Sequence, residues 1–124
     1  MDADYLQQSG KSTLHVAAEG NSFEVVSYLL KEGANPELLD AMGRTALHGA
    51  AADGCTDAVR AFVQGGAALD TQDAVEQWTA LHFASAYNKL GCVELCLAGG
   101  ANPNIADKWG RTPAYLASQV AFSQ

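Results

Sequence analysis

The stretch "GRTALHGAA", residues 43–51, places Thr45, His48 and a cluster of small residues within nine positions. A His beside a hydroxyl group opens many hydrolytic sites, so the stretch poses a choice between a catalytic fragment and a structural one. Its relatives within the chain bear on that choice. "GKSTLHVAA" starts at Gly10, "QWTALHFAS" at Gln77 and "GRTPAYLAS" at Gly110. Leu14 and Leu47 are 33 positions apart, Leu47 and Leu81 are 34 apart, and His15, His48 and His82 keep the same rhythm. A second frame repeats alongside: "GANPELLD" from Gly33, "GAALDTQD" from Gly66 and "GANPNIAD" from Gly100. A period of this length is the signature of stacked supersecondary units.

Each unit reads as two helices and an extended tip. Ser12, Thr45, Thr79 and Thr112 stand where an N-cap hydroxyl accepts an orphan backbone N–H. Pro113 follows at the first helical position, where its missing donor costs nothing. Inner helices are expected over 13–19, 46–52, 80–86 and 113–120, and outer helices over 23–31, 56–64 and 90–98. "FEVVSYLL" carries a helical stripe of apolar residues. Asn21, Gly54 and Asn88 fill the turn between the two helices, where residues tolerant of the left-handed conformation are needed. Gly33, Gly66 and Gly100 stop the outer helices.

The 124 residues amount to one domain, with units at 7–39, 40–72, 73–106 and 107–124. The hydrophobic fraction of 48% suffices for a core, and the net charge of −7 argues against nucleic acid or anionic lipid as a partner. No apolar run approaches the ~20 residues of a membrane span. The acidic start, "MDADYLQQSG", shows no signal peptide. Three cysteines, an odd number without framework spacing, fit a reducing intracellular setting, cytoplasmic or nuclear.

These blocks resemble ankyrin repeats. "DAMGRTALHGAA" at 40–51 and "FEVVSYLLKEGA" at 23–34 follow the two halves of that family's pattern. "DKWGRTPAYLAS" at 107–118 keeps Asp107, Gly110, Thr112 and Pro113 but has Ala114 and Tyr115 in place of Leu and His. The likeness runs over roughly residues 6–120. It implies an all-α solenoid of helix–turn–helix units joined by extended, hairpin-like turns. It also implies an architectural His that hydrogen-bonds within and between turns, and a protein-binding rather than enzymatic role.

The chemistry-bearing residues agree with that reading. One solenoid step, on the order of 10 Å, separates successive histidines, too far for a shared metal. Cys92 and Cys96 occupy the slots of Val25 and Leu29, apolar positions expected to be buried, and lack further ligands for zinc. Cys55 lies in a turn and is the expected exposed thiol. No catalytic residue, cofactor or metal site is assigned.

In the resembled family, partners are bound by turn tips and the inner-helix face. The variable slots there assign Met42, Arg44, Val75, Glu76, Trp78, Tyr87, Trp109 and Arg111 as partner-binding. The tip at 73–79 is singled out as the centre. Asp73 to Thr79 is six steps, whereas Asp40 to Thr45 and Asp107 to Thr112 are five. Gln77 stands where the other tips have Gly, so the backbone is expected to take another path. Trp78 is read as a contact at a solvent-facing tip; the alternative is that it folds back to protect the hairpin. Lys11, Arg44, Lys108 and Arg111 line the turns, which points to an acidic or C-terminal segment of a protein partner. The competing classes are a self-associating or regulatory subunit, suggested by apolar Val120 and Phe122 near the C-terminus of an otherwise monomeric protein, and an enzyme using His and Cys.

Overall fold

The computed structural model describes residues 10–123, with side chains to Val120. Among the described residues it contains seven helices and no strand. They are α1 (Thr13–Glu19), α2 (Phe23–Lys31), α3 (Ala46–Asp53), α4 (Thr56–Gln64), α5 (Ala80–Ala86), α6 (Leu90–Ala98) and α7 (Pro113–Ser123). The expected helices are therefore all present, with α3 and α7 running slightly further than expected.

The helices form two layers. α1, α3, α5 and α7 stack in sequence as an inner layer, and α2, α4 and α6 stack behind them. Helices of 7 to 11 residues are marginal alone and depend on packing. The first turns are secured locally. The hydroxyls of Ser12, Thr45 and Thr79 accept the backbone N–H three residues on, and the His at that position reaches back to the cap's own N–H. This is a capping box with imidazole in the role usually taken by Glu or Gln.

The core runs continuously between the layers. Leu14, Leu47 and Leu81 repeat along the inner one and Val26, Val59 and Phe62 along the outer one, with Ala51, Ala58, Ala61 and Ala84 allowing close approach. Cys92 and Cys96 are fully buried, as their slots predict. Val25 is a correction: it is 49% exposed although Ala58 and Cys92, its counterparts, are buried. Among the described residues, α2 has an outer-layer neighbour, α4, on one side only.

Extended tips join the outer helix of one unit to the inner helix of the next. Asp40 N–H donates to Arg44 O at 2.9 Å, Asp73 N–H to Trp78 O at 2.8 Å and Asp107 N–H to Arg111 O at 2.8 Å, closing each into a hairpin-like turn.

Candidate functional site: the tips and the inner-helix face

The three histidines spend both ring nitrogens on backbone. Nδ1 accepts the N–H of Ser12, Thr45 or Thr79 at 2.9–3.0 Å. That places the proton on Nε2, which donates to Arg44 O, Thr71 O or Arg111 O at 2.8–2.9 Å. His15 and His82 thus tie the start of an inner helix to the following tip, and His48 ties its helix to Thr71, two residues before the tip at 73–79. Burial holds the pKa of His48 and His82 below the usual value, despite the carbonyl bonds and nearby carboxylates that oppose the shift. A neutral imidazole with both nitrogens engaged in the scaffold is a structural joint, with neither nitrogen left to take a proton from a substrate.

The tips are organised by their aspartates. Asp40 Oδ1 accepts N–H bonds from residues two and four ahead, Met42 and Arg44, and Asp107 does the same with Trp109 and Arg111. Asp73 accepts instead from residues three and five ahead, Glu76 and Trp78. The extra residue is therefore absorbed at Ala74–Val75, and the rest of the tip keeps its geometry.

Gln77 confirms this and corrects the expectation of another backbone path. It holds φ +60°, close to the +72° of Gly43 and +83° of Gly110. The left-handed conformation is kept although the Gly is not. The looped-out residues carry the tip forward, so that Glu76 O accepts the N–H of Lys108 at 3.1 Å and joins this tip to the next.

Trp78 is not at a solvent-facing position. It is 7% exposed. Its ring lies parallel to His82 with centroids 6.1 Å apart, and edge-on to Phe83 at 4.9 Å. Its indole N–H donates to Asp107 Oδ2 at 2.8 Å. Of the two readings of Trp78, the fold-back over the neighbouring tip describes the geometry. Asp107 also receives Arg111 Nε at 2.9 Å. Burial opposes ionisation of Asp107, but the bonds from Arg111, the Trp78 indole and the Trp109 N–H outweigh it and bring its pKa down to about 2.

The assigned cations are engaged within the chain. Arg44 pairs with Asp73 at 3.2 Å and Glu76 at 3.1 Å, and its guanidinium lies 4.9 Å from the Phe83 ring centre. Burial disfavours the charge, yet these carboxylates hold the Arg44 pKa above its ordinary value. Arg111 pairs with Asp107, and Lys11 pairs with Glu19.

The tips expose apolar side chains beside polar Gln77 and Lys108. Met42, Val75 and Trp109 stand out from three successive tips, with Trp109 57% exposed. Lys108 Nζ and Arg111 Cζ lie 4.8 and 4.7 Å from the Trp109 ring centre. On the inner-helix face Tyr87 and Tyr115 are exposed as well. Tyr115, like the tip organisers Asp73 and Asp107 and the buried platform Phe83, lies outside the residues assigned from sequence. The aspartates were readable as a recurring tip residue; Phe83 occupies the slot of Val16 and Gly49, and nothing in the pattern marks it.

The thiols are unactivated. Burial, followed by nearby charges, pushes Cys92 up to about 11 and Cys96 up to about 12. Half-buried Cys55 is raised by burial and then by Asp53 and Glu19. Among the described residues no group of His, Cys, Asp and Glu is arranged to hold a metal, and no helix is long and apolar enough to cross a membrane.

A stack of capped helix pairs joined by aspartate-braced tips defines a helical-repeat scaffold. The family model of ankyrin repeats matches residues 1–73 and 47–122, and the chain belongs to that family. Among its relatives are a putative E3 ubiquitin-protein ligase, XBAT31, of Arabidopsis thaliana (35% identical over 99 residues, 80% of this chain and 22% of the relative) and the nuclear factor NF-kappa-B p105 subunit of Gallus gallus (36% over 110 residues, 86% and 11%). A third is NF-kappa-B inhibitor alpha of Sus scrofa (34% over 102 residues, 78% and 32%). The chain spans less than a third of the length of these relatives.

Proposed function

We propose that this protein is a non-enzymatic binding module that holds a protein partner across its tips and inner-helix face. The observation that carries the reading is Trp109. A large indole stands in solvent, flanked by two cations and seated on a tip whose Asp107 is locked by six hydrogen bonds, four to its carboxylate and one each to its own N–H and carbonyl. Preorganised Trp and Tyr are the usual anchors of interfaces, because little freedom is lost when they are covered. Met42, Val75, Tyr87 and Tyr115 extend the apolar surface on either side. Trp78, Arg44 and Arg111 serve as its supports. One relative is by name an inhibitor of NF-kappa-B, a protein target, which agrees with a protein partner here.

Three of the four tip cations, Lys11, Arg44 and Arg111, already face carboxylates of the chain, which weakens the case for an acidic docking segment. Three free thiols suit a reducing compartment, the cytoplasm or nucleus. The test is affinity capture from a cell extract with the wild-type protein and with Trp109→Ala and Tyr87→Ala as parallel baits. Proteins retained by the first and lost from the variants support the reading; the same set on all baits rejects it.

A further inference from the structure

One inner-helix residue has no role in the fold. Gly49 sits in the middle of α3 with ordinary helical backbone, and a Cβ added there would meet nothing within 4 Å. A glycine inside a helix weakens it relative to alanine. Close packing would account for it, but nothing approaches; a positive φ would account for it, but there is none. The equivalent slots hold Val16, Phe83 and Leu116.

Beside the missing side chain lies a cleft of about 150 Å³ between α1 and α3, lined by Gly49, by buried Ala18 and Ala50, and by Lys11, Glu19, Asp40, Arg44 and Asp53. That is below the roughly 300–1,000 Å³ of a small-molecule pocket and suits a single inserted side chain. Its charge is one-sided. Lys11 is neutralised by Glu19, and Arg44 by two carboxylates outside the cleft, Asp73 and Glu76. Asp53 is exposed and enters no ion pair among the described residues. Lys89 approaches it from the far side, over Gly54, without pairing.

We propose that the Gly49 cleft receives one basic side chain, Arg or Lys, of the protein partner, its stem over Gly49 and its charge at Asp53 and Asp40. The inference rests on the binding reading above but involves α1 and α3, whereas Trp109 lies beside α7, so either can fail alone.

The probe is a set of blocked tripeptides, acetyl-Ala-X-Ala-amide with X = Arg, norleucine or Glu, titrated into the 15N-labelled protein. The Arg peptide is expected to give saturable shifts at the amides of Gly49, Ala50 and Asp53, with a dissociation constant on the order of 10 mM. Asp53→Asn should weaken it about threefold, and Gly49→Phe, which copies the Phe83 slot, should abolish it. Gly49→Ala should fold and melt higher than wild type. Equal or stronger response to norleucine or Glu, absence of shifts at Gly49, or indifference to Asp53→Asn overturns the proposal. Asp53→Asn decides it should Gly49→Phe fail to fold.

Discussion

The indole N–H of Trp78 donates to Asp107 Oδ2 at 2.8 Å, across 29 residues of chain. One side chain thereby closes the core of α5 and braces the next tip. Trp78→Ala is expected to cost about 3–5 kcal/mol of stability, read as a lowered urea midpoint. Trp78→Phe keeps most of the ring but removes one of the two donors to Asp107 Oδ2, leaving Arg111 Nε alone there, at about 1 kcal/mol. Fluorescence separates the two tryptophans: Trp109→Phe should leave a blue-shifted emission shielded from aqueous quenchers, and Trp78→Phe a red-shifted, accessible one.

The histidine joints make stability depend on pH. His48 and His82 have folded pKa values below the unfolded reference of about 6.5. The unfolded chain therefore takes up protons first as pH falls. Their contribution is full above about pH 6.5 and is lost progressively below it, down to the folded pKa values. Asp107 adds a second, more acidic loss, between about pH 4 in the unfolded chain and its folded pKa of about 2. Urea midpoints should be level from pH 8 to 7 and fall by pH 5; a flat profile to pH 5 contradicts the assignment. His48→Ala, which frees the Thr45 N–H, should cost about 1–3 kcal/mol at pH 7.5.

Gln77 stores strain that Gly would relieve. A non-glycine residue at φ +60° costs roughly 1–2 kcal/mol, partly offset by the entropy that Gly loses on folding. Gln77→Gly should thus stabilise the protein by about 1 kcal/mol and raise Tm by roughly 3–5 °C. A lower Tm would mean that the Gln side chain makes contacts outweighing the backbone.

The periodic parts of this fold were readable because repetition and capping chemistry are local. Thr45 and His48 stand three apart, and that spacing alone contains the capping box. The tip at 73–79 hides two compensations from a reading of spacing. The extra residue is absorbed inside the tip, by Asp73 changing which N–H groups it accepts, and Trp78 is covered through Asp107 of the following tip. The stripe of cations was visible, but their pairing with Asp73, Glu76 and Asp107 depends on how tips stack. The partner surface is the least legible part: whether Trp78 or Trp109 faces solvent depends on neighbouring tips, not on the residue type.

The cysteines should respond in two classes. With Cys92 and Cys96 buried and their thiols raised to about 11 and 12, only Cys55 should react with a disulfide reagent in the native protein, and slowly. Denaturant should release all three. Rapid native reaction of more than one thiol would contradict the packing of α6.

The central claim is that Trp109 binds while Trp78 supports. It is tested most directly by calorimetric titration of a captured partner against wild type, Trp109→Ala and Trp78→Phe, with the melting curve of each. Trp109→Ala is expected to lose about 2 kcal/mol or more of binding free energy at an unchanged Tm, and Trp78→Phe to lower Tm. Full affinity in Trp109→Ala would contradict the account.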